Sequence, residues 1–91
     1  MTEIVTWNVQ RSRPPEEVKD DIVLLQESFQ RSIICLQEMP IGDQVSLFGS
    51  NRLERDKENV IIYPAWYELK NTSVIPAQTK TRSFLHCILQ Q

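Results

Sequence analysis

The sequence predicts an α/β fold that opens with a strand–helix–strand unit and continues through further strands. Three observations lead there. Two apolar runs, Ile4-Val5-Thr6-Trp7-Asn8 and Ile33-Ile34-Cys35-Leu36-Gln37-Glu38, each stop abruptly at a polar residue. Between them, Val18, Ile22, Leu25 and Phe29 step by four, three and four, the spacing of one helical face. Beyond residue 58, β-branched stretches punctuated by proline and polar clusters read as strands.

In order, residues 3–8 and 32–38 are expected as adjacent parallel strands joined by a helix near 15–30. Pro15 suits a first helical position, where its missing N–H has no intrahelical partner. Glu16, Glu17, Asp20 and Asp21 sit towards the positive end of the helix dipole. A strand–helix–strand unit is usually parallel and right-handed, which brings Asn8 beside Glu38. A competing register makes Asp21–Glu27 a buried strand ending in Gln26-Glu27. That leaves only Gln10 to Asp20 as a crossover, barely enough chain for two parallel strands. The helical register is preferred, and in it Glu27 is a solvated helix residue.

The second half gives fewer signals. Pro40 to Ser50 is expected as a loop anchored by Val45, Leu47 and Phe48. Arg52-Leu53-Glu54-Arg55-Asp56-Lys57-Glu58 alternates in sign, the pattern of a solvated surface segment. Asn59–Tyr63 is a strand by its β-branched content, stopped by Pro64. Ala65–Lys70 is expected to continue it or to pair with it. Asn71-Thr72-Ser73 is a turn by composition. Val74-Ile75 precedes Pro76, and Thr81 to Leu89 reads as a final strand, which would leave an unpaired edge.

Length and composition bound the class. Ninety-one residues with 41% hydrophobic and 24% charged side chains make one small domain over 1–91, or a truncated piece of a larger one. No apolar stretch is long enough for a membrane span, and no secretory signal is visible, so an intracellular location is expected. Net charge is −2, with four basic and eight acidic residues in 1–45 against six and four in 46–91. Arg52, Arg55, Lys57, Lys70, Lys80 and Arg82 could touch phosphates, but the chain lacks the basic bias of a dedicated nucleic-acid module.

The chemistry-bearing residues are few. Asn8 and Glu38, at the carboxyl ends of neighbouring strands, stand where open α/β sheets place their ligands. Cys35 and Cys87 lack CxxC spacing and are expected as reduced, buried thiols. His86, flanked by Leu85 and Cys87, is expected as a packed histidine, and Trp7 as core. Asp43 and Glu27 have no spacing that recommends them as bases. Exposed apolar strand surface is expected around Tyr63, Trp66 and Phe84, covered by a protein partner or by self-association.

Trp7-Asn8 closing a first strand, then a helix, then a strand closing in Leu36-Gln37-Glu38, resembles the start of the endonuclease/exonuclease/phosphatase superfamily, also called DNase I-like. The resemblance covers residues 3–40, and 58–69 more loosely. It implies a partial DNase I-like sandwich, with Asn8 as the active-site asparagine and Glu38 as a carboxylate ligand of Mg²⁺. The implied substrate is nucleic acid or another phosphoester. The family completes its site with a downstream Asp-x-Asn and a closing Ser-Asp-His, and neither tripeptide occurs in these 91 residues. Two protein oxygens hold Mg²⁺ weakly, since that ion keeps several waters and demands octahedral geometry. The chain alone is therefore expected to be inactive and to bind Mg²⁺ weakly or not at all. The other reading is a catalytically dead structural or interaction subunit of a larger assembly. A third is an unrelated small α/β or α+β domain.

Overall fold

The computed structural model describes residues 2–10, 12–39, 51–76 and 83–91. Within them the chain runs β1 (Ile4–Asn8), α1 (Pro15–Ser28), β2 (Ile33–Gln37), β3 (Arg52–Asp56), β4 (Asn59–Tyr63), β5 (Glu68–Pro76) and β6 (Ser83–Gln90). The first four strands form one mixed sheet in the order β1-β2-β4-β3, and β5 pairs with β6 in a second. The expected loop at Pro40 to Ser50, with Val45, Leu47 and Phe48, lies outside the described residues, as do Asp43, Lys80, Thr81 and Arg82.

The strand–helix–strand opening forms as the sequence predicts. β1 and β2 are parallel, with Ile4 opposite Ile33 and Asn8 opposite Gln37. The helix starts after Pro14, whose carbonyl accepts from the Glu17 and Val18 amides, and closes where the Phe29 N–H donates to the Leu25 carbonyl. Its inner face buries Val18 and Ile22 completely, with Leu25 and Phe29 packed at the margin. Across from them lie Ile34 and Leu36 of β2 and Val60 and Ile62 of β4, all fully buried. Each such side chain contributes roughly 1.5–3 kcal/mol on leaving water. The competing register fails because a strand over 21–27 would turn Leu24, which is 62% exposed, to the same face as buried Ile22.

The hairpin of β5 and β6 lies against β4 and β3 on the face of the sheet opposite α1. Strand alternation assigns the sides. Ile34, Leu36, Val60 and Ile62 serve the helix, while Cys35, Ile61 and Tyr63 turn towards β6. In the second sheet Leu85, Cys87 and Leu89 are half-buried, whereas Phe84, His86 and Ile88 are exposed.

Several expectations are corrected. Arg52–Glu58 has no buried residue, as expected of a surface segment, but it is not irregular. It is β3 followed by a two-residue turn, because β4 offers it a full antiparallel ladder and Leu53 packs on the core. Ala65–Lys70 neither continues nor partners β4. Tyr67 donates its N–H to the Pro64 carbonyl, the chain turns there, and Glu68 opens β5. Asn71-Thr72-Ser73 is no turn. It lies inside β5, opposite Ile88, Cys87 and His86, and the only irregularity is a register shift between Leu69 and Asn71. The extra residue of this β-bulge is Lys70, and Asn71, Thr72 and Ser73 pair regularly beyond it. Tyr63 is buried, with its hydroxyl donating to Glu54 Oε2 at 3.2 Å, although Trp66 and Phe84 are exposed as expected. His86 is exposed on the outer face of β6, its Nδ1 3.4 Å from Ser73 Oγ, so it is not packed. Trp7 is half-buried against the core. Both cysteines are free and half-buried. No helix among the described residues is long and apolar enough to cross a membrane.

Candidate functional site

The two expected site residues come to the same sheet edge. β1 ends at Asn8 opposite Gln37, the Val9 N–H donates to the Gln37 carbonyl at 2.9 Å, and Glu38 follows directly. Val9 and Met39, just past the two strand ends, are fully buried and pin the backbone on either side. Asn8 itself is exposed, and its Oδ1 accepts the Gln10 N–H at 3.0 Å, which closes a tight turn. Gln10 then sits at φ 65° and its carbonyl accepts the Arg13 amide at 3.0 Å.

Glu38 occupies left-handed backbone at φ 55°. For a residue with a Cβ this conformation costs energy, and it persists only where its surroundings hold it. The hold is visible. The Met39 N–H donates to the Glu58 carbonyl at 3.0 Å, and Arg55 Nη2 donates to the Met39 carbonyl at 3.4 Å. Arg55 Nε also bonds the Lys57 carbonyl at 3.0 Å, so one guanidinium ties the turn after β3 to the bend after β2. Gln10 and Lys57, both in turns, share this left-handed backbone.

Arg13 was not singled out by the sequence, yet it organises the loop between β1 and α1. Its Nη2 donates to Asp21 Oδ2 at 2.6 Å, its Nε lies 3.6 Å from Glu17 Oε2, and the guanidinium stands over the Trp7 ring at 5.8 Å. The hydrogen bond to Asp21 is the main reason its pKa rises further. The step of four from Glu17 to Asp21 puts those two acids on one side of α1, but Arg13 lies in the bend before the helix, and its reach to them is not legible from spacing.

Asn8 and Glu38 offer oxygen donors, the kind Mg²⁺ takes, and that ion is often bound through one or two carboxylates with water and substrate phosphate completing its shell. They fit the ion in kind but supply at most two protein oxygens. Among the described residues no group of three or more His, Cys, Asp or Glu side chains could hold a metal. Glu27 is exposed on α1, away from the edge. Of the basic residues, Arg55 stands at the Glu38 bend, whereas Lys70 pairs with Glu68 at 3.2 Å on β5.

On the opposite face of the sheet, Cys35 and Leu85 share an open cavity of about 220 Å³ with Ile61, Asn59 and Phe84. Burial, reinforced by the neighbouring Cys87, pushes the Cys35 thiol up. That direction favours the neutral thiol over the thiolate, the form that reacts. No family model matches the chain, and no curated protein or solved structure matches it either.

Proposed function

We propose that this chain is the N-terminal part of a metal-dependent, DNase I-like endonuclease or phosphoesterase domain, inactive by itself. The observation that supports the reading is the parallel pairing of β1 with β2, which sets Asn8 opposite Gln37 and leaves strained Glu38 next along the same edge. Bound Mg²⁺ would supply charge stabilisation at a phosphoryl oxygen. Glu38 would hold that ion through its carboxylate. Asn8, anchored by the Gln10 amide, would present its side-chain N–H groups to a phosphate oxygen. Among the described residues no group of three or more His, Cys, Asp or Glu side chains could hold a metal, so in this proposal the pair is half of a hydrolytic site.

A plasmid-nicking assay with Mg²⁺ or Mn²⁺ tests the reading. The 91-residue chain should show no activity. A polypeptide supplying Asp-x-Asn and Ser-Asp-His should restore it, with Glu38→Ala and Asn8→Ala abolishing it and Glu27→Ala leaving it unchanged. Glu38-dependent nicking by the isolated chain would overturn the claim of inactivity, and loss on Glu27→Ala would overturn the assignment of the site.

The second reading is an interaction subunit without catalysis. It is favoured by the outer face of the β5–β6 hairpin, where Ile75, Phe84 and Ile88 are exposed. A complex that shields this face, and whose formation is indifferent to Glu38→Ala, is its expected sign.

A further inference from the structure

We infer that Cys35 and Cys87 form a redox clasp, which oxidised glutathione closes into a disulfide that fastens the β5–β6 hairpin to the first sheet. They are the two cysteines of the chain, and both are free and half-buried. They stand on facing sides of the two sheets. Cys35 lies opposite Ile61, and strand alternation turns it from α1 towards β6. Cys87 lies on the half-buried side of β6, in line with Leu85 and Leu89.

The gap between them is short. Cys35 and Leu85 line one open cavity of about 220 Å³. Leu85 and Cys87 are two residues apart on one face of β6, a step of about 7 Å. After burial, Cys87 is the next influence on the Cys35 thiol, and it also reaches Tyr63, behind burial and Glu54. Cys87 therefore stands over the seam of β2 and β4. A disulfide holds its Cα atoms about 5.5–6 Å apart, closer than the roughly 10 Å at which sheets stack. Closing the bond thus draws β6 down onto β2 and consumes the open cavity. The hairpin is free to settle that far, because it meets the first sheet through β6 while residues 70–75 of β5 are exposed. A lone two-stranded hairpin is only marginally stable, so a covalent tie has a large effect on it.

The chemistry is thiol–disulfide exchange. Cys87, whose sulfur lies in an exposed contact with Thr72 Oγ1 at 3.5 Å, meets the oxidant first. Its thiolate attacks one sulfur of oxidised glutathione, forms a mixed disulfide and releases one glutathione thiolate. Cys35 then gives its proton to water, attacks Cys87 Sγ and expels the second glutathione thiolate. Two protein thiols are oxidised and one glutathione disulfide is reduced to two thiols. The bond closes a loop of about 50 residues, which restricts the unfolded chain and raises stability.

The test incubates the reduced 91-residue chain with oxidised glutathione, folded and in urea, and follows free thiols, intact mass and thermal melts. Both thiols of the folded chain should be lost together, with a monomer about 2 Da lighter as the product. Trypsin should release residues 32–52 and 83–91 as one cross-linked pair. The thermal midpoint should rise by more than about 5 °C and return on adding dithiothreitol. Cys35→Ala should stop at a glutathione adduct on Cys87, and should that variant fail to fold, the product of the native chain decides. The inference is overturned if the native chain stops at glutathione adducts or forms disulfide-linked dimers. It is also overturned if the bond closes no faster in the folded chain than in urea, or if the oxidised monomer melts no higher. None of these outcomes depends on the hydrolytic reading, because neither Asn8 nor Glu38 takes part.

Discussion

Replacing Ile22 by alanine, beside the same replacement at Leu24, reads out which face of residues 15–28 holds the domain together. Ile22 is fully buried, in contact with the cluster of Val18, Ile34, Leu36, Val60 and Ile62. The change removes Cγ1, Cγ2 and Cδ1, and at about 0.8 kcal/mol per buried carbon the lost transfer energy is about 2.4 kcal/mol. The cavity left between helix and sheet raises this to about 3–4 kcal/mol, within the range for such truncations. A small domain has only about 5–15 kcal/mol in total, so the variant should unfold about 12–32 °C lower. Leu24, two residues on but turned away and 62% exposed, should cost no more than about 0.5 kcal/mol. Urea denaturation followed by circular dichroism, with the slope unchanged, gives both values. Equal costs at the two positions would refute the helical packing, because only a strand places residues two apart on one face. So would a cost at Ile22 below about 1 kcal/mol.

Two further outcomes follow from particular residues. Burial first, and Cys87 second, raise the Cys35 pKa, so the fold favours the neutral thiol. Its contribution to stability is complete below the unfolded thiol pKa of about 8.5 and is lost as pH climbs through the higher folded value. Urea midpoints should therefore fall faster above about pH 9 in the native chain than in Cys35→Ala, and a parallel decline in both would remove Cys35 as the cause. Lys57 turns between β3 and β4 at φ 51°, where a side chain costs about 1 kcal/mol and glycine costs none. Lys57→Gly should leave stability unchanged or raise it by up to about 1 kcal/mol, while a loss above that in thermal melts would contradict the conformational account.

The opening unit is legible in the sequence because two independent periods agree. Val18, Ile22, Leu25 and Phe29 share one helical face, and the flanking runs have strand length and end in polar residues. β4 is legible for the simpler reason that Val60, Ile61 and Ile62 are β-branched. β3 is hidden, because both of its faces carry charge and only Leu53 reports the core. β5 is hidden by Asn71-Thr72-Ser73, whose turn-like composition instead serves cross-strand contacts such as Thr72 Oγ1 with Cys87 Sγ at 3.5 Å. Of the candidate site, the residue types and their shared edge can be read from spacing. The left-handed backbone at Glu38 and the Arg55 clamp cannot, since both depend on where the turn after β3 lands in three dimensions.

Mn²⁺ titration of the isotope-labelled chain tests the central claim most directly, by recording which amide signals broaden. The account predicts weak binding that broadens Asn8, Val9, Glu38 and Met39 together. It also predicts that Glu38→Gln removes the effect and leaves the chain folded, because a carboxylate at a sheet edge contributes little to the core. Broadening confined to Glu16, Glu17, Asp20 and Asp21 on α1, and unaltered by Glu38→Gln, would contradict it.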